Sequence, residues 1–130
     1  MMNKFSYLIL RLVAGMSMLG HGLVRIPKLQ GFSQWMVGSA EGSMLPEMLV
    51  VPFSYALPFI EFAIGVLLVC GLFTRMASLI GGFVMVALIF GTSLMENWSA
   101  LPSQMIHAAF FAMLIQFLPA NGFAVDNLRK

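Results

Sequence analysis

The chain has 130 residues, seven of them Lys or Arg and five Asp or Glu, so charged residues make up 9% and the formal net charge is +2. A soluble domain carries about 25% charged residues, and a chain that is 60% hydrophobic is too apolar either to coat a soluble surface or to stay disordered. The composition is that of an integral membrane protein: no Lys/Arg cluster tracks a nucleic-acid backbone, Cys70 is the only cysteine, so no intrachain disulfide can form, and no CxxC or zinc-ligand spacing occurs.

At about 20 residues per crossing, the length admits four spans. The first, 5–24, is broken by a single charge, Arg11. Arg11 also interrupts any signal-peptide core, and apolar sequence continues past it, so the segment reads as a retained span. After Pro27, the residues Leu29, Phe32, Trp35 and Met36 recur near helical spacing, with Lys28 and Gln34 between them. That pattern predicts a short amphipathic helix in the interface; a re-entrant segment over the mouth of the bundle is the alternative. The second span, 50–72, is broken by Glu61. The third and fourth, 76–95 and 100–118, fall in charge-free runs, and Pro119-Ala-Asn-Gly122 ends the last. The expected fold is all-α, one integral membrane four-helix bundle over 1–130 with a short interfacial helix in the first outer connection.

Four spans put both termini on one side, flanked by Lys4, Arg75, Arg129 and Lys130. The other side has Arg25 and Lys28, offset by Glu41, Glu47 and Glu96. The excess of basic residues places both termini in the cytoplasm. Trp35 and Trp98 then lie in the outer connections, as interfacial anchors do.

Glu61 carries the most information. A carboxylate near the middle of a span costs about 2.5–3.5 kcal/mol even on the lenient insertion scale, so it must be paired, protonated or hydrated. Pro58, three residues earlier, frees the carbonyl of Ser54 and makes the spot more polar. Gly65 follows one turn later and permits close helix approach. Counted from the cytoplasmic ends at 1.5 Å per residue, Arg11 lies about 9 Å deep and Glu61 about 15 Å. The arginine stem spans that difference, so an Arg11–Glu61 pair is expected; snorkelling of Arg11 to the interface is the alternative.

His21 and Arg25 are four residues apart on one face of the first span, and Gln104 and His107 three apart on one face of the fourth. Both histidines fall in the outer half of the membrane. If the two helices are neighbours, these side chains line one outward-opening pocket. Each histidine can equally satisfy a backbone carbonyl. Two helical histidines can in principle ligate a haem, but nothing beyond their number supports it. The 12 methionines suit Cu(I) chemically, but Met16 and Met18 point to different faces and the rest are scattered, so packing accounts for them and no metal site is expected. Cys70 is expected to be buried and inert.

Taken in order, Arg11, then Gly20-His21-Gly22, then Lys28-Leu29 and Phe32 resemble the opening of the DoxX family. Glu61 followed by Gly65-Val-Leu-Leu and then Gly71-Leu72-Phe73-Thr74-Arg75 resembles its second-helix signature, and Pro119…Gly122…Asp126 its C-terminal exit. The resemblance implies a bacterial inner-membrane four-helix protein and puts weight on Arg11, His21, Gly22, Lys28, Glu61, Gly65, Gly71 and Arg75. It also implies an association with quinone-linked oxidoreductase assemblies, in which the cofactor would be a quinone and the partner a redox protein. His107 is not assigned by it.

Three functions fit these residues. A membrane subunit could bind a quinone or similar amphiphile, with His21, Arg25 and His107 as donors and Glu61 carrying protons. A structural or assembly subunit would use the Arg11–Glu61 pair for docking. A small transporter or channel would need several copies, a homo-oligomer, because four helices are few for alternating access.

Overall fold

The N-terminal helix begins where Asn3 accepts hydrogen bonds from the backbone N–H groups of Phe5 and Ser6, at 2.7 and 3.3 Å, as an N-cap should. The computed structural model describes residues 2–129, so Lys130 lies outside the described residues. In chain order the elements are α1 (Lys4–Arg25), a 3-10 turn (Ile26–Lys28), α2 (Leu29–Ala40), α3 (Glu47–Cys70) and α4 (Thr74–Leu94). A 3-10 turn (Trp98–Ala100) leads into α5 (Leu101–Gln116), and two more 3-10 turns, Leu118–Ala120 and Val125–Arg129, complete the chain. No strand occurs among the described residues. Four helical segments are long and apolar enough to cross a membrane, and a short helix, α2, forms where the spacing after Pro27 predicts one.

Around the bundle α1 packs on α3, α3 on α4, α4 on α5 and α5 on α1, with α2 laid against α3. Tyr7, Met18, Leu68, Phe111 and Leu114 are fully or almost fully buried between them. Ile9, Val13 and Met16 on α1, and Phe83, Val86 and Phe90 on α4, face outward, as lipid-contacting side chains must. Met16 and Met18 do point to opposite environments.

Small residues set the register of α1 on α3. A Cβ on Gly22 would lie 2.6 Å from Phe62, one on Gly15 would lie 3.0 Å from Leu68, and one on Gly65 would collide with the backbone of Leu19. These three contacts define a single antiparallel alignment of close-approaching backbones, the geometry that small residues permit in membranes. Extended by one residue at a time, it sets Glu61 level with Leu23. Arg11 falls level with Phe73, past the end of α3.

The expected Arg11–Glu61 pair is therefore not formed. Along the helix the two levels are about 18 Å apart at 1.5 Å per residue, too far for one arginine stem. The expectation assumed that the spans end flush, whereas the first turns of α1 project beyond α3. The C-terminal segment fills the space alongside them. There Tyr7 Oη donates to the carbonyl of Leu114 at 2.7 Å, and the Phe5 and Phe123 rings meet at 5.0 Å.

Arg11 is buried at this terminal end. It donates to the carbonyl of Leu68 at 2.8 Å, to Asn121 Oδ1 at 2.6 Å and to the carbonyl of Phe123 at 2.8 Å. It thus places positive charge at the carbonyl end of α3, where the helix dipole favours it. Gly71 ends α3 at φ +71°, a left-handed conformation that favours glycine, and a side chain there would strike Ala124. Asp126 closes the turn: its carboxylate accepts from the N–H groups of Phe73 and Thr74 at 2.6 and 3.0 Å, and its own N–H donates to the carbonyl of Gly71 at 3.0 Å. Cys70, expected to be buried, is exposed, because it sits on the outer side of this last turn.

Candidate functional site

At the opposite, distal end the bundle opens into a cavity of about 480 Å³, within the range of small-molecule sites. Its apolar walls include Phe32, Trp35 and Met36 from α2, Leu57 from α3, and Met85 and Leu88 from α4. The α2 helix is held over α3 by a small cluster of Met36, Ala40, Val50 and Leu57 and by the hydroxyls of Ser33 and Ser54, 2.6 Å apart. The polar side chains against these walls include His21 and Arg25 from α1, Glu61 from α3, and Gln104 and His107 from α5.

The partner of Glu61 is Arg25. Its Nη1 donates to Glu61 Oε1 at 2.8 Å, and the arginine side chain is 27% exposed against 4% for the glutamate. The register explains the choice, since Arg25 lies only two residues beyond the level of Glu61 and its stem folds back. The guanidinium carbon also stands 4.4 Å from the centroid of the Phe32 ring, a cation–π contact that ties α2 to the pair. Pro58 withholds the N–H that the carbonyl of Ser54 would otherwise receive, which adds a second polar group on α3 within two turns of Glu61.

The two histidines meet edge to face, with ring centroids 6.1 Å apart. Nδ1 of His21 lies 2.6 Å from the carbonyl of Ser17, and Nδ1 of His107 lies 2.7 Å from the carbonyl of Ser103. A carbonyl only accepts, so in each ring Nδ1 carries a proton. Ser17 Oγ lies 2.6 Å from Nε2 of His107 and donates to it in the neutral ring. Between the two rings only Nε2 of His21 is uncommitted, whereas a bis-histidine haem needs one nitrogen from each. No group of three or more His, Cys, Asp or Glu able to hold a metal ion occurs among the described residues. Gln104 Nε2 donates to Thr92 Oγ1 at 2.9 Å, and its Oε1 is buried with no hydrogen-bond partner.

Of the side chains singled out in the sequence, the cavity thus gathers His21, Arg25, Glu61, Gln104 and His107. Arg11 and Gly71 belong to the terminal end, and Gly22 and Gly65 to the α1–α3 contact. Lys28 and Arg75 are exposed and do not line the cavity. Ser17 and Thr92, which orient His107 and Gln104, were not anticipated. Ser17 precedes His21 by four residues and so shares its face, a signal that was available; Thr92 had none, since its partner is on another helix.

In comparison with known proteins, the family model DoxX matches residues 6–94, which run from α1 through α4. Gln104 and His107, on α5, lie beyond the matched residues. No curated protein and no solved structure matches the chain.

Proposed function

The chain belongs to the DoxX family, and from that premise we propose that it is an inner-membrane subunit whose distal cavity binds a quinone or similar amphiphile beside a redox partner protein. The observation that carries this reading is the cavity's two-part make-up. Apolar walls end on a polar group set that holds an ion pair, two histidines and an amide. A quinone needs an apolar slot for its ring and tail, a donor for its carbonyl oxygens, and groups that move protons when it is reduced. Arg25 supplies N–H donors, while Glu61 and His21 supply sites that can take and release protons. The chain has one cysteine and no flavin motif, so electrons would come from the partner. The basic flank near the termini supports a cytoplasmic terminal end, with the cavity opening on the outer face.

Trp35 makes the proposal testable. It lines the cavity, and Trp98 is the only other tryptophan. In a Trp98→Phe protein reconstituted in lipid nanodiscs, a short-chain benzoquinone should quench Trp35 fluorescence to saturation at low micromolar concentration. Quenching that rises linearly with quinone, as for a tryptophan merely bathed in lipid, would refute the proposal.

A further inference from the structure

We infer that the terminal end carries a second binding site, which takes the phosphate headgroup of an anionic phospholipid. The site is separate from the distal cavity and stands whether or not that cavity binds a quinone. A cavity of about 500 Å³ opens here, and its lining includes Lys4 from the first turn of α1 and Arg75 from the first turn of α4. Both residues are exposed, and neither charged group meets an acid or another hydrogen-bond acceptor among the described residues. The lining also contains one carboxylate, Asp126. Its two oxygens are directed at the N–H groups of Phe73 and Thr74, the positive end of the α4 dipole. The lining thus carries two cations against one acid.

The guanidinium fork fits two phosphate oxygens and the ammonium adds a point charge. The apolar part of the lining decides what carries that phosphate. Phe73 and Met76 line the cavity and are about half exposed, at the level where the spanning helix α4 begins. From Met76 the outward-facing side chains of Ile80, Phe83 and Phe90 continue along α4, at the spacing that keeps one helix face. A phosphate held by Lys4 and Arg75 therefore has a continuous apolar stripe for its acyl chains. A soluble phosphate would leave that stripe unused, and a zwitterionic headgroup would bring a cation of its own toward the two already present. Basic pockets at the cytoplasmic ends of spanning helices take acidic headgroups on these grounds.

The site gives a part to Arg75, which belongs to the second-helix motif yet does not line the distal cavity. It also accounts for the close passage of the terminal segment over α1. A Cβ on Gly122 would lie 2.6 Å from Lys4 Cδ, so the lysine stem runs against that glycine. A cation near an anionic lipid surface contributes about five-fold in affinity, the equivalent of about 1 kcal/mol. Loss of both cations should then weaken binding about 25-fold.

The test is native mass spectrometry of the full chain, delipidated in mild detergent and titrated with phosphatidylglycerol or with phosphatidylcholine. The expected result is saturable binding of phosphatidylglycerol, several-fold tighter than that of phosphatidylcholine. Lys4→Gln and Arg75→Gln, each checked for folding by its melting curve, should each weaken it about five-fold. Lys28→Gln, an exposed lysine at the distal end, should leave it unchanged, and millimolar inorganic phosphate should not displace the lipid. Equal affinity for the two lipids, or a preference that survives in both variants, would overturn the inference. So would an equal loss in Lys28→Gln, which would show that surface charge at large attracts the lipid. Displacement by inorganic phosphate would overturn the lipid assignment in favour of a soluble phosphate. The wild-type comparison and the phosphate competition decide the matter if a variant does not fold.

Discussion

Replacing the two members of the Arg25–Glu61 pair singly and together gives an asymmetric set of costs that the geometry fixes in advance. In Arg25→Met the glutamate remains, 4% exposed, with its ion-pair partner gone. Breaking a buried pair in this way costs about 3–5 kcal/mol, lessened where the carboxylate takes up a proton. In Glu61→Gln the arginine remains, 27% exposed, keeping its contact with Phe32 and some hydration, so the cost should be nearer 1–2 kcal/mol. The double variant Arg25→Met/Glu61→Gln should recover about 1–3 kcal/mol relative to the sum of the singles, the coupling usual for groups in contact. The same cycle with Arg11→Met in place of Arg25→Met should be additive within about 0.5 kcal/mol, because groups well separated and without shared partners do not couple. The assay is SDS-driven unfolding in mixed micelles, followed by circular dichroism. Additive losses for Arg25 with Glu61, or coupling of Glu61 with Arg11, would refute the register on which the site is built.

Three further outcomes follow from named contacts. Gly65→Ala should destabilise by about 1–3 kcal/mol through overpacking against Leu19, whereas Gly20→Ala, with nothing within 4 Å of the added methyl, should stabilise by about 0.5–1 kcal/mol; equal effects in the same unfolding assay would contradict the packing. Arg11→Lys should lower the melting temperature almost as much as Arg11→Met, because a single ammonium does not reproduce three diverging bonds; full retention with lysine would show that charge alone suffices. Asp126→Ala should cost about 0.5–2 kcal/mol through loss of the cap on α4 and should speed proteolytic cutting in 118–129, read by mass spectrometry of limited digests.

The sequence was informative where a feature is local to one helix. Span positions follow from uninterrupted apolar runs, and α2 follows from the spacing of Leu29, Phe32, Trp35 and Met36. His21, Arg25, Gln104 and His107 were assignable to one depth because each could be counted from the nearby distal end of its own helix. The partner of Glu61 was not legible in this way, since it depends on the axial offset of α1 against α3. That offset is set by the glycine contacts of Gly15, Gly22 and Gly65, and flush ends gave the wrong arginine. The terminal segment was read only as an exit from the last span. Its return onto Arg11 depends on Asn121, on Asp126 and on a backbone carbonyl of Phe123, groups too short and too aperiodic to announce a distant partner. The unmet Oε1 of Gln104 is likewise a property of the packed molecule, because it appears only once Thr92 has claimed the amide nitrogen.

The most direct test of the central claim is to purify the protein in mild detergent from its native membranes and extract what remains bound. Wild-type protein and Glu61→Gln would be compared by mass spectrometry of the lipid extract, with a redox difference spectrum taken on each. A quinone retained by the wild type and lost from Glu61→Gln is the predicted result. Bulk lipid alone in both extracts, with no redox-active species in either spectrum, would contradict it and leave the cavity without the ligand assigned to it.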